Sequence, residues 1–513
     1  MRARAALIAF ALASSTQFAA AQKAQDTLRM PFVDSIQGIS YYLDPKTETV
    51  FSSEAVFDSL LAYDEATGKY EPLLAKAWRR IDAVTLEFDL RDDVKWHDGT
   101  PFSADDVVHT VQYLIDPASK LRFAHFWSFI KGVEKLGPHK VRVVTKEPTP
   151  FDISQLAFQT VILPAHAHGK AADKVVFSQR PIGTGMYKVA SFDQKNGILL
   201  ERNVDYKHGG VAKPAGNIRR IHIRAIPEAS TRIAEFMAGT LDILPTNIPF
   251  DLVDGLIKTP GVELTSAAGN GSIYIAMDAK GRSGQKALLD PRVRQAIMMS
   301  IDREALTRVI AGTVPGIDRP EAMCWRFQTG CDYSVPLPKY DPDGARKLLA
   351  EAGYAGGFKT NITSFAGDNY VTIAQALSGQ IRRIGVIADV EGMTLGAYRQ
   401  KQSNGRIEIF ASPWPGGGMP DVAQTLAFLY NPQISADYHG DEELKALAVR
   451  ALKAMDPEER KQLGRRIFDM GTEKFYFMPL TPMPILAVHK SEVALKVSRV
   501  STYPTRIWWM NWK

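Results

Sequence analysis

"LLAKAWRRIDAVTLEFDLRDDVKWHDGTPFSADDVVHTVQYL", residues 73–114, alternates Val84, Leu86, Phe88 and Leu90 with polar or small residues. That period of two is the signature of a half-buried strand, and Trp96 continues it. His97, Asp98, Asp105 and Asp106 follow closely enough to suggest a metal site or an acid/base pair. Local chemistry gives each a structural task instead. "HDGTP" is a turn in which Gly99 can take φ > 0. Ser103 stands three residues before Asp106, a capping arrangement for the helix "ADDVVHTVQYLI". Asp105 and Asp106 oppose the positive end of that helix, and Val107, Val111 and Leu114 form its buried face.

Outward from this stretch, "KVRVVTKE" (140–147), "NGILLERN" (196–203) and "IRRIHIRAI" (218–226) read as further strands. The first third is therefore expected to be antiparallel β with few helices. From about residue 285 helices and strands alternate. "DPRVRQAIMMSIDREALTRVIAG" offers Asp290 as N-cap and Pro291 at the first helical position, with Val293, Ile297 and Ile301 at helical spacing. "DPDGARKLLAEAGY" repeats that start at Asp341 and Pro342, and Gly353 is a natural stop. "FKTNITSF", "YVTIAQALSGQIRRIG" and "VIADVEG" then spell a parallel βαβ unit.

The chain opens "MRARAALIAFALASSTQFAAAQK", with an early positive charge, a short apolar run and small residues at 19–21, the layout of a secretory signal peptide at 1–21. No cysteine follows the apolar run, so a lipoprotein anchor is not expected. Beyond it no apolar stretch approaches 18 residues. Without Arg2 and Arg4 the balance is 60 basic against 56 acidic side chains, interspersed rather than clustered. A nucleic-acid partner would need a concentrated basic stripe. Cys324 and Cys331 are the two cysteines. In an oxidising compartment they can pair, and the alternative is half of a zinc site.

No G-x-S-x-G elbow, H-E-x-x-H, P-loop or C-x-x-C is present, so neither a catalytic residue, a metal site nor a cofactor is expected. An exported hydrolase, the alternative of a different class, would require a nucleophile–base set. Gly183 and Gly185 in "PIGTGMY" do not open an amphipathic helix, which speaks against a dinucleotide fingerprint. His166 and His168 would share a face on a strand and could ligate a metal, and a surface loop is the plainer reading. "STYPTRIWWMNWK" reads as a closing strand, with ligand stacking by Trp508, Trp509 or Trp512 as the alternative.

Residues 73–114 closely resemble the signature of family 5 extracellular solute-binding proteins, the peptide- and nickel-type binding components of ABC importers. The likeness continues in "PIGTGMYKV", "ERNVDYKHG", "RIAEFMAGTLDIL", "LLDPRVRQAIMMSIDREALTRVIAGT" and "YDPDGARKLLAEAGY". The resemblance implies a two-lobed α/β periplasmic binding protein, of type II and the large peptide-binding kind, with a domain inserted in the first lobe. Lobe I would comprise 22–53, 180–268 and 487–513, the inserted domain 54–179 and lobe II 269–486. It further implies a monomer, not an enzyme, that closes over a solute and presents it to membrane permease subunits. The expected solute is a peptide, a peptide-like compound or a modified amino acid. An opine, a sugar-containing compound and a nickel chelate are the alternatives.

One departure stands out. Peptide binders of this family typically carry a tryptophan and, three positions later, an aspartate that pairs with the peptide's α-ammonium. In "FASPWPGGGMPDVAQTLAFLYNP" Trp414 resembles that tryptophan, but Gly417 stands at the acid's place. Asp421 is the nearest acid. It either takes over the cation or caps the helix that follows.

Overall fold

The computed structural model describes residues 26–44, 46–245, 248, 250–311, 317–366, 370–432, 436–501 and 503–513. The expected signal peptide lies outside them. In the first lobe Thr27–Phe32 pairs in parallel with Arg220–Ala225, and Gly197–Arg202 and Tyr187–Asp193 extend the sheet antiparallel. Between the first two strands in sequence lies a second four-stranded sheet, ordered Ala75–Asp82, Thr85–Leu90, Lys140–Thr145, Ile130–Gly137 and antiparallel throughout. Leu86, Phe88, Val141 and Val143 of that sheet, Val107 of the helix Ala104–Ile115, and Leu28, Ile221 and Ile223 of the first sheet belong to one continuous apolar core. The two sheets are therefore packed as one body.

A six-stranded mixed sheet runs from the first lobe into the second, where its far strands form the second lobe's floor. Phe358–Phe365 and Val386–Met393 run parallel, joined by the helix Tyr370–Ile381, whose Ile373, Leu377 and Ile381 are fully buried. Ile409–Trp414 lies beside them, parallel to Phe358–Phe365 and antiparallel to the long strand Val262–Met277.

Two long strands carry the chain between the lobes. Val262–Ala268 pairs with Lys490–Pro484, Ser272–Ala276 pairs with Pro482–Phe477, and the register slips between them. Gly269, Asn270 and Gly271 are the extra residues of this bulge, and their identity follows from crowding. A Cβ on Gly269 would lie 2.9 Å from Ile485 Cδ1, and one on Gly271 2.9 Å from the Trp414 carbonyl. On the return strand Pro482 and Pro484 offer no N–H to the ladder. The ladder is thinnest where the chain passes between lobes.

Several local outcomes differ from the sequence reading. The helical pattern from Asp290 breaks in two, Pro291–Met299 and Arg303–Ala311, because Asp302 accepts from Ala305 N–H and starts a new helix. The carboxyl end is a short 3-10 turn, Ile507–Trp509, followed by a strand of only two residues, Asn511–Trp512. His166 and His168 sit in a turn, not on a strand. His166 meets Asp98 at 2.8 Å, whereas His168 is buried against His109 at 2.9 Å instead of lying at the surface.

Candidate functional site

The opening stretch proves to be scaffolding that holds the site's first wall. Ser103 and Asp106 form the reciprocal capping box, and Asp106 also accepts from Trp96 Nε1 and Ala165 N–H. Asp105 pairs with Lys135. His97 Nδ1 accepts from Gly183 N–H at 3.2 Å, which leaves Nε2 to donate to the Gly185 carbonyl at 2.9 Å. The glycines of "PIGTGMY" are there for closeness: a Cβ on Gly183 would collide with the Val56 carbonyl.

A cavity of about 410 Å³ lies between this wall and the second lobe. That volume falls within the roughly 300–1,000 Å³ usual for small-molecule sites. Phe126, Phe129, Phe151 and Gln155 line it on one side; Met419, Ala423, Gln424, Phe428 and Asn431 line it on the other. Lys146, Glu147 and Lys453 also border it, and Lys453 joins Glu147 across the two sides at 2.6 Å. A second, much smaller cavity of about 40 Å³ lies within the first lobe against Phe57, Phe158, Arg506 and Trp508.

The second-lobe side is shaped by an unusual turn. Ala423–Thr425 begins as α-helix and continues as one π turn, Leu426–Tyr430, which points Leu426, Leu429 and Tyr430 inward. Phe428 is left 54% exposed, a large apolar surface facing the cavity. Trp414 stands behind it: the rings are 5.7 Å apart, and the indole N–H donates to Thr425 Oγ1 at 3.0 Å. Trp414 thus supports Phe428 and is not itself among the cavity-lining residues.

Gly417 sits in the middle of a 3-10 turn, Gly416–Gly418, whose outer glycines both have positive φ. Asp421 lies off the cavity wall. The Asp421 and Arg460 side chains are 4% and 3% exposed and face each other in a bidentate pair at 2.5 and 2.6 Å. Asp421 Oδ1 additionally accepts from Ala423 N–H at 2.7 Å, so it caps the helix. With both oxygens engaged, Asp421 does not offer a carboxylate to a ligand cation, which corrects the anchoring expectation. Burial works against charge on Arg460, yet the adjacent Asp421 carboxylate holds it protonated more firmly than usual. Tyr70 of the first lobe lies near enough to feel this pair. Burial above all, and Asp421 with it, pushes its hydroxyl up against an opposing hydrogen bond from Ser154.

Two supports hold the site loop, of which the sequence reading missed the first and expected the second. Asn270, in the interlobe bulge, donates through Nδ2 to the Met419 carbonyl at 3.2 Å, and its backbone N–H donates to the Arg499 carbonyl at 2.9 Å. It ties the site loop to the crossing point. A Gly-Asn-Gly run inside a strand pattern is a bulge signal that could have exposed it. The second support is the Cys324–Cys331 disulfide, with Cα atoms 5.8 Å apart. Its loop presents Thr329, whose N–H donates to the Pro420 carbonyl and whose carbonyl accepts from Val422 N–H. No His/Cys/Asp/Glu group suited to a metal occurs among the described residues.

Two lobes on paired crossing strands, with an aromatic cavity between them, form a cleft suited to holding a solute. The family described as bacterial extracellular solute-binding proteins, family 5, matches residues 69–437, and the chain belongs to that family. It is 26% identical over 514 residues to the glutathione-binding protein GsiB of Shigella flexneri, covering 96% of this chain and 95% of the relative. Among solved structures it resembles the ABC transporter-associated periplasmic binding protein DppA from Helicobacter pylori in complex with peptide STSA (TM-score 0.74, 22% identity, 96% of this chain and 99% of that one). It also resembles NikA from Brucella suis in complex with Fe(III)-EDTA (TM-score 0.80, 21% identity, 94% of this chain and 100% of that one). No helix among the described residues is long and apolar enough to cross a membrane.

Proposed function

We propose that the protein is the periplasmic substrate-binding component of an ABC importer, which captures a peptide or peptide-like solute between its lobes and delivers it to a membrane permease. Export would remove residues 1–21, and the mature chain would act as a monomer. The observation that carries this reading is the cavity itself: aromatic side chains and free side-chain amides face each other across two bodies joined by a weakened strand pair. The relatives named for glutathione and for a bound peptide support the choice of solute class. Native mass spectrometry of protein purified from the periplasm of its own host tests it, since a retained solute of peptide-like mass is expected. Phe428→Ala gives the matching site test. Because Phe428 is already exposed, its loss should change stability by less than about 0.5 kcal/mol. It should weaken solute binding at least tenfold, about 1.4 kcal/mol, in calorimetry. Unaltered affinity would remove Phe428 from the site.

A further inference from the structure

The charges bordering the cavity do not balance. Lys146, Lys453 and Glu147 are its charged neighbours, apart from His125. Glu147 is taken by Lys453, so Lys146 is left with no ion pair among the described residues. Burial lowers the His125 pKa, which keeps that ring neutral near pH 7. The other carboxylates near the cavity are already committed, Asp421 to Arg460 and Asp152 to Arg80 at 2.6 Å. Asp152 Oδ2 has no partner but is fully buried, so among the described residues lining the cavity no exposed carboxylate is left over for an ammonium, and an unpaired ammonium taken out of water is costly.

The neutral polar groups sort in the same way. Gln155 spends its amide on the Phe126 carbonyl and Gln159, Ser128 donates to the His125 carbonyl, and Thr149 donates to the Glu147 carbonyl. The side-chain amides of Gln424 and Asn431 make no hydrogen bond among the described residues. Each can donate and accept, which matches a peptide group. The aromatic wall of Phe126, Phe129, Phe151 and Phe428 suits a bulky apolar side chain.

We propose, building on the function above, that the cavity selects peptide-like solutes carrying a free carboxylate, held by Lys146, and a large apolar or aromatic side chain. A free α-ammonium is not required. Gln424 and Asn431 hold the intervening amide, and the solute's amino end can be blocked or already bonded in an unusual linkage without loss of affinity.

The test uses the mature full-length protein and a pool of di- to tetrapeptides with aromatic or aliphatic carboxyl-terminal residues. Each is made in four matched forms: amino end free or acetylated, carboxyl end acid or amide. Competitive native mass spectrometry ranks them, and calorimetry follows on the best. Acids should outrank their amides at least tenfold, acetylation should change affinity less than threefold, and aromatic ends should lead. Lys146→Met, at an exposed site that leaves the melting temperature unchanged, should abolish the preference for acid over amide. The proposal is overturned if acetylation abolishes binding, if amides bind as well as acids, or if Lys146→Met keeps the preference. Failure of every peptide also overturns it. If a solute retained from the host still contracts the molecule in that case, the transport reading stands and only the selectivity falls. If no solute is retained and nothing contracts the molecule, both fall.

Discussion

Asp421 shows what one residue's neighbours in sequence reveal and what they hide. Its capping of Ala423 was readable from the helix beginning two residues later, whereas its partner Arg460 lies 39 positions away and no local pattern pointed to it. The two roles make opposite forecasts. A cap alone tolerates Asp421→Asn almost freely. A buried ion pair does not, because the guanidinium left behind has lost its counter-charge, at a cost of roughly 3–5 kcal/mol. Urea denaturation should show losses of that size for Asp421→Asn and for Arg460→Met separately, and a much smaller loss than their sum in the double variant. Additive losses would show that the pair is not coupled. Trp414, expected to lie beneath the ligand, stands behind Phe428 instead, and Phe428 itself stayed hidden. Its outward aim depends on the π turn, which apolar periodicity cannot distinguish from an ordinary α-helix.

At the scale of elements, the readings that held rested on chemistry within a few residues. The capping box at Ser103, the Asp290–Pro291 and Asp341–Pro342 starts, and the parallel βαβ unit each carried their own signal. The strand crossing did not, since a bulge between two long strands is set by their partners. The disulfide loop is an element with an assignable consequence. Replacing both Cys324 and Cys331 with serine releases a short loop, which costs about 2–3 kcal/mol in the chain-entropy account. Thr329 then no longer holds Pro420 and Val422 in place before solute arrives. Affinity should fall severalfold in calorimetry along with the loss in denaturation midpoint. A stability loss with wholly unchanged affinity would confine the bridge to stability and deny it any role at the site.

For the whole molecule, the thin crossing predicts closure. Small-angle scattering should show a smaller radius of gyration at saturating solute, and the fold should gain about 2.7 kcal/mol of stability at a hundredfold excess over Kd, seen as a higher melting temperature. An unchanged radius at saturation would contradict the hinge. Acid should act on the same body from within. Burial above all pushes His97 down to about 4 and His168 down to about 3, so both are neutral in the fold. An unfolded chain binds protons on both below about pH 6.5. Stability is therefore present above that pH and drains as pH falls toward 4, by up to about 1.4 kcal/mol per pH unit for each histidine. Calorimetric melting between pH 7.5 and 4 checks this, and a flat profile would refute it. The slipped ladder carries one more consequence, for heredity. Ala268 and Pro484 are ladder partners on the two crossing strands. The segment between them is thus a parenthesis with adjacent ends. One uninterrupted stretch of gene can be exchanged between relatives as a cassette, bringing a new Phe428 side of the cavity to an old Lys146 side without cutting the first lobe anywhere else.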